Sequence, residues 1–291
     1  MRVECVPCLL NQVLKGIRLL RPRVDDLFIK GAMDQVMTFL SQDDLMALPP
    51  GKVGQTVYRI LGEVLGELDP YAELKLLTNA KALSFEPHME VVLAQATDPL
   101  RTALKLAIMG NIIDFAAETE VNLDEELANL ENHGIAIDDS DALFADIKNP
   151  DANKILYIGD NAGEIVFDKV FLQELLKQYP TKQFVFAVRS GPIINDATME
   201  DAAAVGLADI VRVIECSQSP GVQIAESCPE FQEEFQQADV IIAKGQGNFE
   251  ALSEPDLPTS AHVYFLLKAK CRLMEQIFEC LIGSLIVKKF Q

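Results

Sequence analysis

The texture of the chain changes at Pro150, and no other feature constrains its fold as much. Before that point apolar residues recur at helical spacing. Leu10, Val13, Leu14, Ile17 and Leu20 are separated by threes and fours, as one buried helix face requires. Similar stripes run near 27–40, 54–68, 71–83 and 100–117. They are interrupted at Arg21-Pro22, Pro49-Pro50-Gly51, Asp69-Pro70 and Asp98-Pro99, where turn chemistry ends helices. No segment of this half reads as a strand. After Pro150, short β-rich runs alternate with helical stretches. The runs are Lys154–Ile158, Gln183–Val188, Ile210–Ile214, Asp239–Ala243, His262–Leu266 and Ser284–Val287, with helices expected near 163–178 and 197–205. They are apolar on consecutive residues, as strands are when both sheet faces are covered. The expectation is an α/β protein: a helical part over 1–149, then a Rossmann-like, mostly parallel sheet over 150–291 with helices on both faces.

Composition excludes several function classes. At 49% hydrophobic and 24% charged, the 291 residues have the material for a core and are not a disordered chain. The longest apolar runs, such as Val240–Ala243 and Tyr264–Leu267, fall far below the roughly 18–20 residues of a spanning helix, so no membrane insertion is expected. A net charge of −19 repels a phosphate backbone and argues against nucleic acid. An anionic small substrate would need local help against that field, and a divalent cation held by acidic residues supplies it. The opening Met1–Cys8 carries an acid and two cysteines where a secretory signal has basic and apolar regions. Six cysteines, at 5, 8, 216, 228, 271 and 280, are too scattered for a disulfide scaffold, so the chain reads as cytoplasmic with reduced thiols.

In an open α/β sheet, ligands bind beyond the carboxyl ends of the strands. The first strand run leads into Gly159-Asp160-Asn161-Ala162-Gly163-Glu164, two oxygen donors between glycines with a helix N-terminus at hand. The second leads into Arg189-Ser190-Gly191-Pro192-Ile193-Ile194-Asn195-Asp196, a cation, a turn and a second carboxylate. The fourth leads into Lys244-Gly245-Gln246-Gly247-Asn248, a glycine loop with a lysine at its mouth. Each alone is also what a turn or helix cap uses; their coincidence at successive strand ends is informative. Asp160, Asn161 and Asp196 supply only hard oxygen donors, which suit Mg²⁺ or Mn²⁺ better than zinc. Lys244 and the loop amides could hold phosphate oxygens, and Glu164 or Asp168 could orient water or brace the ligands. Arg189, Ser190 and Asn248 are further candidates for substrate contact. That equipment suits metal-assisted phosphoester hydrolysis, with either water or Asp160 as the attacking group.

The segment Ile158–Asp168 resembles the signature of the DUF89 proteins, the damage-control phosphatase ARMT1-like family. Asn195-Asp196-Ala197-Thr198 and Lys244–Glu250 are similar to that family's second and third motifs, and Gly110–Phe115 and Pro70-Tyr71 with Lys75 and Asn79 also match. Cys5-Val6-Pro7-Cys8 is typical of its prokaryotic branch. The resemblance implies a helical part packed on a Rossmann-like part, and a phosphatase for small phosphorylated metabolites that depends on Mn, Mg, Co or Ni. It implies Asp160, Asn161 and Asp196 as metal ligands and Lys244 as the phosphate cation. The eukaryotic branch carries a further lysine or arginine in its third motif; here Gln246-Gly247-Asn248 stands instead, so substrate identity does not transfer between branches.

In the helical half, Tyr71, Lys75 and Asn79 are spaced by four, and Asn111 and Asp114 by three, so each set shares a helix face. These faces are expected either to close over the metal and select the leaving group, or to form a buried polar contact between the halves. The Cys5/Cys8 pair reads as a structural element, half of a zinc site or a redox pair. His88, His133 and His262 lack metal-ligand spacing. Two rival functions remain: an S-adenosylmethionine methyltransferase, which needs an acid where Arg189-Ser190-Gly191 stands, and a non-catalytic metabolite-binding module, which would not need the three oxygen donors.

Overall fold

The computed structural model describes residues 1–110, 130, 134–254 and 256–290. Asn111, Asp114 and His133 lie outside the described residues.

Six helices open the chain: α1 (Cys5–Leu20), α2 (Asp26–Leu40), α3 (Pro50–Leu65), α4 (Ala72–Ser84), α5 (Glu86–Gln95) and α6 (Pro99–Met109). Their ends follow local chemistry. Asp25 accepts the Phe28 N–H at 2.8 Å to cap α2, and Asp98 accepts the Arg101 N–H at 3.0 Å to cap α6. Pro50 opens α3, where its missing N–H costs nothing.

These helices divide into two groups. The first three pack on one another through Leu9, Val13, Ile17, Ile29, Val36, Val53, Val57 and Leu61, a core of their own. By contrast α6 is buried nearly all round, from Thr102 to Met109, and its apolar side chains belong to the core of the sheet.

The sheet has seven strands in the order β1-β7-β6-β5-β2-β3-β4. They are β1 (Ile135–Asp138), β2 (Lys154–Ile158), β3 (Gln183–Val188), β4 (Arg212–Glu215), β5 (Val240–Lys244), β6 (His262–Lys268) and β7 (Leu285–Lys289). The five strands from β6 to β4 run parallel; β7 is antiparallel to β6, and β1 is parallel to β7. The later helices are α7 (Ser140–Lys148), α8 (Glu164–Gln178), α9 (Met199–Ala204), α10 (Pro229–Gln237), α11 (Gly245–Leu252) and α12 (Arg272–Phe278). Alternate residues face opposite layers, as the pleat requires. Ile155, Tyr157, Phe184, Phe186, Val240 and Ile242 meet α6 and α8; Leu156, Ile158, Val185, Ile241 and Ala243 meet α10, α11 and α12.

The mostly parallel sheet with helices on both faces is as expected. One expectation is corrected: the stretch before Pro150 does contain a strand. β1 is a four-residue edge strand whose burial alternates between partial and none, and it pairs with β7 alone. A segment so short, with Asp138 at its end, carries little β signal without its partner. None of the described helices is long and apolar enough to cross a membrane.

Candidate functional site

The loops after β2 and β3 are joined by backbone. Ala197 N–H donates to Asp160 O at 2.8 Å and Ala162 N–H to Asn195 O at 2.8 Å, forming an antiparallel bridge between Asn161 and Asp196. Thirty-five positions of sequence are thereby closed, and the loops that carry Asp160, Asn161 and Asp196 lie side by side. In place of the expected glycine loop, β5 passes directly into α11 at Gly245, and this junction lies against Asp160. Gly245 has φ 78°, and a Cβ there would stand 1.9 Å from Asp160 Oδ2, so only glycine lets the backbone pass this carboxylate.

Charge at this junction is unbalanced. Asp160, Asp196, Glu164 and Asp168 are all buried, and the buried cations among them are Arg189 and Lys244. Arg189 Nε donates to Asp196 Oδ2 at 2.7 Å, while its terminal nitrogen lies 3.8 Å from Asp160 Oδ1. Burial pushes Asp160 up to about 7, with the Asp196 charge adding to it. Burial likewise raises Asp196 to about 6 and Glu164 to about 7, against the pull of Arg189 and Lys244 respectively. Asn161 Nδ2 donates to Glu164 at 2.8 Å and to Asp160 at 3.2 Å.

Lys244 has different work from the phosphate contact expected of it. Its side chain is fully buried, and Nζ donates to Ala107 O and Asp168 Oδ1, each at 2.7 Å, with Glu164 at 3.6 Å. Tyr157 completes this floor by donating to Asp168 Oδ1 at 2.7 Å. The lysine sits under the site, not at its mouth, because β5 is a central strand and its last side chain points into the layer shared with α6 and α8.

Arg189 and Asn248 are likewise walls. Asn248 is fully buried; its Oδ1 accepts from Arg189 at 3.2 Å and Val222 N–H at 3.0 Å, and its Nδ2 donates to Gly159 O and Lys244 O. Ser190 is solvent-exposed. Lys75 and Asn79 are buried against Asp201, so the second of the two expectations for that helix face holds.

Sequence reasoning missed Lys270. It is exposed, two residues beyond β6, and its charge acts on both Asp160 and Glu164. The strand-end rule would have found it had the fifth strand run been followed past Leu266. Asp201 was missed because an acid in the first turn of a helix reads as an ordinary cap.

Among the described residues, no three His, Cys, Asp or Glu side chains gather as a metal cage. An ion here would use two carboxylates and the amide of Asn161, and the surplus buried negative charge fits a hard divalent cation. The six cysteines form no disulfide. A cavity of about 610 Å³ lies beside the Asp196 loop, walled by Tyr58, Arg59, Glu63, Pro192 and Ile194, but none of the site carboxylates lines it.

The damage-control phosphatase ARMT1-like domain matches residues 1–285. A damage-control phosphatase of Pyrococcus horikoshii is 34% identical, over 97% of this chain and 96% of its own length. A damage-control phosphatase of Archaeoglobus fulgidus is 29% identical, over 98% and 97%. The crystal structure of a DUF89 family protein from Pyrococcus horikoshii superposes with a TM-score of 0.87 at 33% identity, covering 100% of this chain and 99% of that one. The chain therefore belongs to the damage-control phosphatase ARMT1-like (DUF89) family.

Proposed function

We propose that this protein is a divalent-metal-dependent phosphatase that hydrolyses small phosphorylated metabolites, sugar phosphates or related monoesters. The observation that carries the reading is the bridge between Asn161 and Asp196, which places two buried, under-neutralised carboxylates and an amide at one point. Two relatives are named damage-control phosphatases, which supports the same class.

Asp160, Asn161 and Asp196 would hold the ion, Mn²⁺, Mg²⁺, Co²⁺ or Ni²⁺. When bound, it polarises a phosphate oxygen and offsets the negative charge around it. The chain's own residues do the rest. Lys270, exposed at the rim, draws in the anionic ester. The N–H groups at the start of α8 brace the Asp160 loop: Ile165 donates to Asn161 O at 3.4 Å and Val166 to Gly163 O at 3.2 Å. Glu164, with its carboxyl pushed up to about 7, takes a proton from the attacking water; the ester P–O bond breaks, and the leaving oxygen recovers a proton from the same carboxyl. Arg189 and Asn248 fix the ligand loops, and Lys244 with Asp168 fixes Glu164. A cytoplasmic setting fits the six unpaired thiols.

The test is phosphate release from a panel of sugar phosphates, nucleotides and cofactor fragments with each of the four ions. Release that EDTA abolishes and added metal restores is the expected result. Metal binding with no release on any ester would favour a binding module instead. Methyl transfer from a labelled donor without metal would favour a methyltransferase.

A further inference from the structure

α4 reaches from the helical half to both ligand loops through one side chain. Asn79 is 2% exposed. Its Oδ1 accepts the Gly163 N–H at 2.7 Å, and its Nδ2 donates to Asp201 Oδ1 at 2.8 Å. Gly163 closes the loop that carries Asp160 and Asn161. It has φ 81°, and a Cβ there would stand 2.4 Å from Thr78 Cγ2, so α4 is pressed directly against this turn. Asp201, through its other oxygen, accepts the N–H and Oγ1–H of Thr198 at 2.9 and 2.8 Å. Thr198 is two residues past Asp196. Lys75 completes the contact, 3.1 Å from Asp201 and 3.0 Å from Asp69, so the buried carboxylate is neutralised.

Packing alone would be served by apolar residues of similar size. This contact instead uses every polar atom of the Asn79 amide, one edge on each loop. We propose that Asn79 is a positioning residue: its single amide, through Gly163 on one side and Asp201 with Thr198 on the other, sets the spacing between Asp160-Asn161 and Asp196. The inference rests on the metal-site reading above. It gives the helical half a role in assembling the ligand set without contact with substrate.

The hydrogen bonds can be broken and remade. Asn79→Asp puts two carboxylates face to face, and Asp201→Asn removes the charge that Lys75 neutralises. The double variant Asn79→Asp/Asp201→Asn restores the pattern. The carboxylate at 79 can accept from Gly163 and from the new amide at 201, whose oxygen still receives Thr198 and Lys75. Three quantities are measured on the full chain, well below its melting temperature: Mn²⁺ affinity by calorimetry, kcat and KM for the best ester of the panel, and backbone hydrogen exchange of 159–163 and 195–198 without metal.

The single variants are expected to lose about 10–100-fold in Mn²⁺ affinity and kcat, with KM little changed and exchange accelerated in both loops. The double variant is expected to recover all three. Folded single variants with wild-type affinity, turnover and exchange would overturn the inference, as would a double variant no better than the singles. Should the single variants not fold, Thr198→Val, which removes only the Oγ1 donor to Asp201, is expected to show the same changes at smaller size, and wild-type behaviour there would overturn it. A wild-type protein that neither binds Mn²⁺ nor releases phosphate would defeat the metal-site reading instead, while the exchange data would still decide the link between the loops.

Discussion

The floor and the rim of the site are built from the same residue types to opposite effect. On the floor, Lys244 meets Asp168 one to one at 2.7 Å, with the Ala107 carbonyl on the lysine and the Tyr157 hydroxyl on the carboxylate, while Glu164 stands off at 3.6 Å and shares the charge surplus of the rim. At the rim, Asp160 and Asp196 share one arginine, which binds Asp196 closely and stands off from Asp160. A buried ion pair resists opening, because removing either partner strands the other. A pair of carboxylates with too little positive charge is an invitation to a cation. The difference teaches where to look for chemistry: where buried charge is left over, not where it is balanced.

Four measurements would break or sharpen that contrast. The largest effect is expected on the floor. Lys244→Met leaves Asp168 buried without its cation and should destabilise the fold by about 3–5 kcal/mol, read by denaturant unfolding. An unfolding free energy near wild type would show that the floor is not a balanced pair.

At the rim the signs separate. Asp160→Asn removes a repelling charge, so the metal-free protein should melt higher at pH 8, while phosphate release falls by at least about 100-fold, ~2.7 kcal/mol of barrier. A lower melting temperature would mean that Asp160 is already satisfied.

The pH dependence follows from the same groups. Asp160, Glu164 and Asp196 are held above their ordinary values chiefly by burial, so the folded chain keeps protons that the unfolded chain releases between about pH 4 and pH 7. Stability from these groups is full below that window and is lost as pH rises through it. The metal-free melting temperature should therefore fall by several degrees from pH 5 to pH 8, and Mn²⁺ should recover more of it at pH 8 than at pH 5. A flat or rising profile would contradict the charge surplus.

The smallest effect belongs to the exposed cation. Lys270→Ala should raise KM about tenfold, ~1.4 kcal/mol, with kcat little changed and a weaker dependence on salt. An unchanged KM would remove Lys270 from substrate capture.

The legibility of the chain varied with the range of the interaction. Leu10 to Leu20 and the strand runs from Lys154 onward could be read because helical and pleated periodicity are local. The loops that carry Asp160, Asn161 and Asp196, the proposed ligands, could be read because the strand-end rule converts topology into a short list of loops. β1 could not, since its four residues become a strand only against β7. Nor could the burial of Lys244, or the joining of Asn79 to Asp201 across 122 positions.

The sequence by itself determined the class of fold, the loops that would meet and the oxygen donors those loops carry, because these depend on residue type and on spacing along one element. Only the tertiary structure decided which charges are balanced. Whether a lysine is a floor or a mouth depends on what is packed around it, and those neighbours come from α6 and α8 at once. Burial sets the cost of an unpaired charge, and burial is a property of the assembled chain alone.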